Sequence, residues 1–238
     1  MKKLNKKVVV FSGSGMSAES GISTFRDTGG LWEQYRIEEV ATPDAWRRNP
    51  DMVQTFYNMR RKQILEAEPN GAHRAIAELE KEFPLVVITQ NIDDLHERAG
   101  SGNVVHLHGN ITQAKSSGPD PDKKYYPIKG WELNLTDLCE DGYPLRPHVV
   151  WFGESVHMYN TARGEIENAD ILIVIGTSLQ VYPAAGLIHY APSHALKFLI
   201  DPHADELTVP GDFICLHHEA TTGIRECIGL IKEKGDRF

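Results

Sequence analysis

A glycine-rich turn near the N-terminus carries the clearest chemical signal in this sequence. Gly13 and Gly15 follow the apolar run Val8–Phe11, and Ala18 stands three residues after Gly15. This is the G-x-G-x-x-G/A spacing of a dinucleotide-binding turn, where glycine lets the backbone turn sharply and approach a pyrophosphate. Backbone N–H groups and the start of the following helix then favour the negative charge. The sequence therefore predicts a nucleotide site where this run ends.

Polar residues also follow three other apolar runs. They are Thr89-Gln90-Asn91-Ile92-Asp93 after Leu85–Ile88, Gly176-Thr177-Ser178 after Ile171–Ile175, and Asp201 after Leu196–Ile200. Side-chain amides bind amides or sugar hydroxyls, and a carboxylate at a strand end is a usual partner of ribose. Each turn alone is equally compatible with an Asx-turn or a cap. Four polar turns at four strand ends together predict a nucleotide crevice, because ligands of open α/β sheets bind there.

Two histidines offer a general base. His106 and His108 alternate in the segment that ends at Gly109, so in an extended chain they face opposite sides and at most one enters a given cleft. Imidazole titrates near neutral pH and serves as a base there. The chain has 11 histidines, so any single one is more often inert.

The elements that position these residues follow an α/β pattern. Four predicted strands, Val8–Phe11, Leu85–Thr89, Ile171–Ile175 and Leu196–Ile200, are short, continuous and rich in β-branched residues. This is typical of strands buried on both faces of a parallel sheet. Two segments between the first and second runs, Asp51–Ala67 and Gly71–Glu82, carry apolar residues at helical spacing. Alternating strands and helices predict a doubly wound fold. Leu31 to Glu68, a helical stretch, and Asn110 to His148, a polar one, are read as insertions on the main sheet.

Composition limits the function classes. The chain has 238 residues and a formal charge of −8, which disfavours general binding to nucleic acid or anionic membranes. No apolar run approaches the roughly 18–20 residues of a membrane span. The basic segment Met1–Lys7 precedes a run too short for a secretory signal. Three widely spaced cysteines indicate a reducing, cytoplasmic location without disulfides. We expect a monomer.

At this level of detail the chain resembles the sirtuins, the NAD-dependent protein lysine deacylases. The motifs run in the family's order over nearly the whole chain: Gly13–Ile22, Thr24-Phe25-Arg26, Gly30-Leu31-Trp32, Thr89–Asp93, Leu95-His96, His108-Gly109, Arg146-Pro147, Val149–Glu154, Gly176-Thr177-Ser178 and Pro183-Ala184-Ala185.

The resemblance implies one catalytic domain over residues 1–238. It would contain a Rossmann-type parallel sheet flanked by helices, at about 1–30, 69–109 and 149–238. A small second domain would be formed by the insertions at about 31–68 and 110–148. NAD and an acyl-lysine protein or peptide would bind between the two parts.

The resemblance also implies roles for particular residues. His108 would be the catalytic base, acting with Asn91, and Asn91 and Asp93 would line the nicotinamide pocket. The acyl oxygen would attack the ribose carbon as nicotinamide leaves, and His108 would then take a proton from a ribose hydroxyl. The products would be nicotinamide, free lysine and an acylated ADP-ribose.

Further residues would hold the cofactor and the peptide. The cofactor set adds Gly13, Ser14, Gly15, Ser17, Ala18, Glu19, Phe25, Arg26, Gln90, Gly176, Thr177, Ser178, Asp201, where the family usually has Asn, and Ala220 near the adenine. The segment Val149–Glu154 would pair with the substrate as a strand. Its contact residues would be Val150, Phe152, Gly153 and Glu154.

Tyr57 and Arg60 bear on the acyl group. They are three residues apart and share a helix face, which alone indicates a packed Tyr beside a solvated Arg. In sirtuins that resemble the desuccinylase class, such a pair lines the acyl pocket, and Ala41–Ala45 also looks like that class. A guanidinium grips a carboxylate bidentately and a phenol adds a donor. We therefore expect succinyl-, malonyl- or glutaryl-lysine to be preferred over acetyl-lysine.

One departure concerns zinc. Most sirtuins hold a zinc ion with four cysteines downstream of the catalytic histidine, but only Cys139 occurs between Asn110 and Arg146. A tetrahedral cysteine site is therefore impossible there, and nothing in the spacing of the nearby His and Asp residues favours another metal site. We predict no structural zinc and a module stabilised by apolar packing.

Other functions remain open at this stage. The same chemistry transfers ADP-ribose to a protein side chain in an ADP-ribosyltransferase, and a non-catalytic sensor would bind NAD or ADP-ribose alone. Retention of His108, Asn91 and Asp93 disfavours the sensor. A hydride-transferring dehydrogenase fits worse, because a helical region occupies the place of its second strand and ribose carboxylate.

Overall fold

The computed structural model describes residues 5–23 and 35–234, and its main element is a parallel sheet. The strands of the described residues are β1 Val8–Ser12, β2 Leu85–Thr89, β3 Val104–His106, β4 Gly109–Ser116, β5 Tyr125–Pro127, β6 Leu145–Val149, β7 Ile171–Ile175, β8 Leu196–Ile200 and β9 Phe213–Leu216. Six of these form one sheet in the order β3-β2-β1-β7-β8-β9, and its pairings are parallel. The strand order reverses between β1 and β7, which is where open α/β sheets bind ligands. The predicted Rossmann-type α/β fold is confirmed.

Helices cover this sheet and extend into the insertions. Within the described residues they are α1 Ile37–Val40, α2 Pro43–Arg48, α3 Pro50–Glu66, α4 Gly71–Leu79, α5 Leu95–Ala99, α6 Tyr159–Glu167 and α7 Ala220–Lys234, with 3-10 helices at Ser14–Ser20, Ala184–Tyr190 and Ala204–Glu206. The Asn49 side chain accepts a hydrogen bond from the Met52 N–H at 3.2 Å, which fixes the start of α3. Helix α4 ends three residues before the predicted Glu82, because the chain must become extended ahead of Pro84.

Alternate residues of each central strand enter two separate cores. Val8 and Val10 pack with residues of α4 and α7 on one face, while Val9 and Phe11 pack with α6 and the 3-10 helix Ala184–Tyr190 on the other. All four of these β1 residues are fully buried. Because both faces are covered, the strand needs apolar residues at every position, which explains the continuous run in the sequence.

A second, smaller sheet lies in the polar insertion. Its order is β5-β4-β6 and its pairings are antiparallel. The buried Arg61 joins α3 to it by donating from Nε to the Ile111 carbonyl at 2.6 Å and from Nη1 to the Trp131 carbonyl at 2.8 Å. A buried ion pair, Lys115 Nζ to Asp122 Oδ1 at 3.0 Å, lies within the insertion. The small second domain is thus present, and its division at 31–68 and 110–148 stays a prediction.

The structure corrects the expected strand at Val149–Glu154. Strand β6 ends at Val149, and residues 150–154 form a turn. The Glu154 N–H donates to the Trp151 carbonyl at 2.9 Å, and the Phe152 N–H donates to the Ala41 carbonyl at 3.0 Å. Gly153 takes a positive φ of 93°. These local and long-range bonds bend the chain where the family resemblance implied an extended strand.

The element after the glycine turn is also shorter than expected. It is the seven-residue 3-10 helix Ser14–Ser20, closed by Gly21 at φ 82°, so it lacks the extended helix N-terminus that the motif predicted. Among residues 5–23 and 35–234, no helix is both long and apolar enough to cross a lipid bilayer.

Candidate active site

One cleft collects most of the residues singled out in the sequence. It has a volume of about 460 Å³ and opens at the ends of β1, β2, β7 and β8, within the roughly 300–1,000 Å³ of typical ligand sites. The predicted residues that line it are Gly13, Ser14, Gly15, Ser17, Tyr57, Arg60, Gln90, Asn91, Asp93, His108, Val150, Phe152, Gly153, Glu154, Gly176, Thr177, Ser178 and Asp201.

Five predicted cofactor residues stand apart from this set. Phe25 and Arg26 lie outside the described residues. Ala18, Glu19 and Ala220 are described but do not line the cleft. The Glu19 carboxylate instead accepts the N–H of Thr221 at 2.7 Å, and Ala220 is buried at the start of α7. Cofactor roles for all five stay predictions.

The glycines permit two strand-end turns to cross. A Cβ on Gly13 would lie 2.7 Å from the Thr177 Cβ, and one on Gly15 would lie 2.9 Å from the Gly176 Cα. Gly176 itself has φ 59°, and a Cβ there would lie 2.3 Å from the Met16 nitrogen. The Gly15 N–H donates to the Gly176 carbonyl at 2.8 Å. The glycines of β1 and β7 therefore build the floor of the cleft together.

A chain of hydrogen bonds orients the polar groups after β2. Asn91 Nδ2 donates to Ser17 Oγ at 3.0 Å, and Ser17 Oγ donates to Asp93 Oδ2 at 3.0 Å. Asp93 also accepts the Leu95 N–H at 3.2 Å. The pKa of Asp93 is raised, because burial outweighs the hydrogen bonds from Leu95 and Ser17, which lower it. The arrangement fixes the amide of Asn91, so that its carbonyl oxygen and remaining N–H have a defined direction.

His108 has a defined tautomer. Its Nδ1 lies 2.8 Å from the Gln90 carbonyl oxygen, and because a carbonyl only accepts, Nδ1 carries the proton and Nε2 is left as the acceptor. Burial lowers the pKa of His108, and the bond to Gln90 opposes this shift only partly. A neutral imidazole with an unprotonated Nε2 in a cleft is suited to general-base chemistry.

His106 serves a different purpose. It does not line the cleft, its Nε2 lies 2.6 Å from the Glu97 carboxylate and its Nδ1 lies 3.3 Å from the Asn91 carbonyl oxygen. Burial lowers the pKa of His106, but Glu97, the Asn91 carbonyl and Asp93 together outweigh burial, and the net shift is upward. Of the two alternating histidines, only His108 is placed in the cleft as a base.

Two further contacts tie the rim together. Gln90 Nε2 donates to Thr177 Oγ1 at 2.9 Å, which joins the turns after β2 and β7. Asp201 lines the cleft, and its Oδ1 also accepts the His203 N–H at 2.9 Å. The carboxylate of Asp201 thus both faces the cleft and caps the turn after β8, which were alternative interpretations of the sequence.

Helix α3 contributes a buried Tyr–Arg pair. Tyr57 and Arg60, one turn apart on α3, are 1% and 7% exposed and both line the cleft. The solvated arginine of the simplest interpretation is therefore wrong. Burial raises the pKa of Tyr57, which keeps its phenol protonated. Burial lowers the pKa of Arg60, but a guanidinium in a protein stays charged.

Sequence reasoning missed Trp151 and Arg146. Both belong to motifs that carried the family resemblance, but neither received a role. The Trp151 Nε1 donates to the Tyr57 hydroxyl oxygen at 3.1 Å, and the Arg146 guanidinium lies 3.6 Å from the centre of the Trp151 ring. No local pattern links positions 57, 146 and 151, so only the folded chain shows this contact.

Metal sites were searched over the described ranges. Residues 5–23 and 35–234 contain no cluster of three or more His, Cys, Asp or Glu side chains placed to hold an ion. The cysteines are free. The absence of structural zinc stays a prediction.

Comparison with known proteins decides the family. The model of the Sir2 family matches residues 13–183, which span the glycine turn, His108 and the turn after β7. The chain belongs to the Sir2 family. The resemblance to sirtuins drawn from the motifs is therefore confirmed.

Relatives match this sirtuin over nearly its full length. An NAD-dependent protein deacylase of Bacteroides thetaiotaomicron is 51% identical over 231 residues, covering 95% of this chain and 98% of that protein. A solved Sir2 homologue in complex with NAD has a TM-score of 0.85 and 38% identity over 96% of this chain and 90% of that one. A mutant Sir2 homologue in complex with ADP-ribose has a TM-score of 0.86 and 37% identity, covering 97% and 94%.

Proposed function

We propose that this sirtuin removes acyl groups from protein lysines with NAD as co-substrate, and that it prefers acyl groups ending in a carboxylate. The observation that carries the acyl preference is the buried Tyr57–Arg60 pair in the cleft that also holds His108. Relatives called NAD-dependent protein deacylases support the reaction class.

The cleft residues fit NAD. Side chains at Gly13, Gly15 and Gly176 would clash where the turns after β1 and β7 pass each other. A turn without side chains lets a pyrophosphate approach the backbone closely. Ser14, Thr177, Ser178 and Asp201 supply hydroxyls and a carboxylate for phosphate and ribose. NAD supplies a ribose carbon that becomes electrophilic as nicotinamide departs.

The protein groups then orient and move protons. The hydrogen-bonded Asn91–Ser17–Asp93 chain holds the Asn91 amide toward the nicotinamide side of the cleft. His108 Nε2 accepts the proton of a ribose hydroxyl, while Nδ1 stays bonded to the Gln90 carbonyl at 2.8 Å. Burial favours the neutral imidazole, which is the form that accepts a proton.

Charge selects the acyl group. Among the described residues that line the cleft, Arg60 is the only lysine or arginine. A carboxylate on the acyl chain meets the Arg60 guanidinium in a dry environment, where a charge-assisted hydrogen bond is strong. The Tyr57 hydroxyl adds a second donor. Acetyl-lysine has no terminal carboxylate to pair with Arg60 or Tyr57, so the charge of the guanidinium gives it no such advantage.

Matched substrates test this proposal. Arg60→Met should lower kcat/KM for a succinyl-lysine peptide about 10- to 100-fold, because a hydrogen bond to a charged group is worth about 1.5–3 kcal/mol. The same variant should affect an acetyl-lysine peptide far less. Arg48→Met, an exposed site at the end of α2, is the control and should change neither substrate. Equal losses on both peptides with Arg60→Met would defeat the acyl preference.

A further inference from the structure

We infer that Trp151 is a specificity-positioning residue that sets the direction of the Tyr57 hydroxyl toward the acyl group. The inference rests on the proposed preference for acidic acyl groups. Trp151 is 2% exposed, and its Nε1 donates to the Tyr57 hydroxyl oxygen at 3.1 Å. The two rings lie 6.5 Å apart at an angle of 38°, so the contact is made through this bond rather than by stacking.

The chemistry of the indole gives this bond a fixed polarity. An indole nitrogen only donates, whereas a phenol oxygen both donates and accepts. Tyr57 must therefore accept from Trp151, and its own proton must point to another acceptor. Since Tyr57 lines the cleft one helical turn from Arg60, a carboxylate held by Arg60 is placed to receive that proton. A bond accepted by the phenol oxygen also strengthens the bond that its proton donates.

Arg146 and Glu154 hold the indole in place. The Arg146 guanidinium lies 3.6 Å from the ring centre of Trp151, and its Nη2 donates to both carboxylate oxygens of Glu154 at 2.8 Å. Glu154 in turn accepts the backbone N–H of Trp151 at 2.8 Å. The ring of Trp46 lies 5.8 Å from that of Trp151. The backbone of Trp151 is thereby fixed by a hydrogen bond, and its indole ring contacts a cation and an aromatic ring.

Glu154 has a second role in this inference, beside the peptide contact that stays a prediction. The sequence resemblance placed it among the peptide contacts. Its carboxylate is engaged by Arg146 and by the Trp151 backbone, so its side chain acts on the acyl subsite through Trp151. The turn between Trp151 and Glu154 brings this carboxylate back to the Trp151 backbone N–H.

The direct test is Trp151→Phe, which keeps an aromatic ring and deletes the donor. We expect the ratio of kcat/KM for succinyl over acetyl peptide to fall about 5- to 20-fold, mainly through a higher KM for the succinyl peptide, because the lost contact binds ground state and transition state alike. In a Tyr57→Phe background the same change should not lower the ratio further.

A matched tryptophan provides the control. Trp131→Phe makes the same replacement at a tryptophan of the polar insertion that is 39% exposed, so it should leave the ratio unchanged. The inference is wrong if Trp151→Phe lowers kcat/KM for the succinyl and acetyl peptides equally. It is also wrong if Trp151→Phe lowers the succinyl-to-acetyl ratio just as much in the Tyr57→Phe background. If the wild-type protein shows no preference for succinyl-lysine, that result refutes the proposed acyl preference itself, independently of any variant.

A spectroscopic readout keeps the test decisive if Trp151→Phe does not fold. The chain has 4 tryptophans, and their ¹⁵N-labelled indole signals are resolved in a two-dimensional NMR spectrum. Tyr57→Phe should move the Trp151 signal to the position of an indole without a hydrogen bond. A succinyl peptide should shift the wild-type signal and an acetyl peptide should not. A Trp151 indole signal that moves neither with Tyr57→Phe nor with the succinyl peptide would overturn the inference.

Discussion

At the residue scale, the chemistry of the cleft depends on which nitrogen of His108 carries a proton. The Gln90 carbonyl oxygen, 2.8 Å from Nδ1, assigns the proton to that atom. Burial lowers the pKa of the ring, so the imidazole is in the neutral form that the proposed base requires over a wider pH range than an exposed histidine.

This environment predicts the pH profile. The imidazole accepts a proton only above its pKa, and the pKa is lowered, so the acid limb of kcat/KM should have its midpoint below the usual value of about 6.5 for histidine. His108→Ala should reduce turnover about 10²- to 10⁴-fold while NAD binding persists. His189→Asn, at an exposed histidine, is the matched control and should retain activity. An acid limb above the usual value in the wild-type protein would contradict this role.

Much of the site was predictable residue by residue, but not its couplings. Spacing alone predicted the glycine turn, whereas Asn91, Asp93 and His108 were assigned through the family resemblance. The tautomer of His108 depends on a carbonyl 18 residues away, and the Trp151–Tyr57 bond joins residues 94 apart. Sequence spacing does not encode such contacts, because they arise only when separate elements fold together.

At the element scale, the cleft floor requires that the turns after β1 and β7 pass each other without side chains. A Cβ at Gly176 would lie 2.3 Å from the Met16 nitrogen, and its φ of 59° is unfavourable for other residues. Strain in such a conformation costs on the order of 1–3 kcal/mol before the clash is added.

Two glycine-to-alanine variants separate this effect from general glycine behaviour. Gly176→Ala should lower the free energy of unfolding by more than about 2 kcal/mol and weaken NAD binding, because the crossing must open. Gly164→Ala, inside α6 with nothing within 4 Å of its Cβ, should instead raise stability by about 0.5–1 kcal/mol. Urea unfolding measures both. A neutral Gly176→Ala variant would show that the turns do not need this contact.

The strands of the main sheet were the most predictable elements. Three of the predicted runs, Leu85–Thr89, Ile171–Ile175 and Leu196–Ile200, have the observed bounds, since burial on both faces demands a continuous apolar run. The turn at residues 150–154 was not predictable, because the Ala41 carbonyl and the Glu154 carboxylate bend an otherwise strand-like sequence.

At the scale of the whole molecule, a buried histidine pair makes stability depend on pH. His73 and His96 are 0% and 1% exposed, with ring centres 4.8 Å apart. Burial, with a smaller effect of Arg74, lowers the pKa of His73 to about 4, and burial lowers that of His96 well below its ordinary value. The unfolded chain therefore binds protons below about pH 6.5 that the folded chain does not.

Acid should consequently destabilise the fold before its carboxylates titrate. The contribution of neutral His73 to the free energy of unfolding is fully present above about pH 6.5 and is lost as pH falls toward 4. About 2 kcal/mol of this contribution is lost between pH 7 and pH 5. His73→Gln should reduce the stability difference between these pH values by that amount, whereas His189→Gln should not. Urea unfolding at the two pH values measures it. An unchanged difference in His73→Gln would contradict the linkage.

The small domain leads to a prediction about metal. Its core cluster of Ala114, Leu133, Cys139 and Leu145 and the buried Lys115–Asp122 pair stabilise the module from within. A structural zinc ion supplies folding energy outright, and chelators remove it. We expect no stoichiometric zinc by elemental analysis and an unchanged Tm with EDTA. One zinc per chain, together with a lower Tm after chelation, would refute this.

The most direct test of the central claim follows both products of one reaction. The protein is incubated with NAD and matched succinyl- and acetyl-lysine peptides, and nicotinamide, peptide and nucleotide are identified by mass spectrometry. We predict nicotinamide and deacylated peptide in equal amounts, acylated ADP-ribose as the third product, faster turnover of the succinyl peptide, and none of these with His108→Ala. ADP-ribose attached to an acceptor that keeps its acyl group, or NAD bound without nicotinamide release, would contradict the claim.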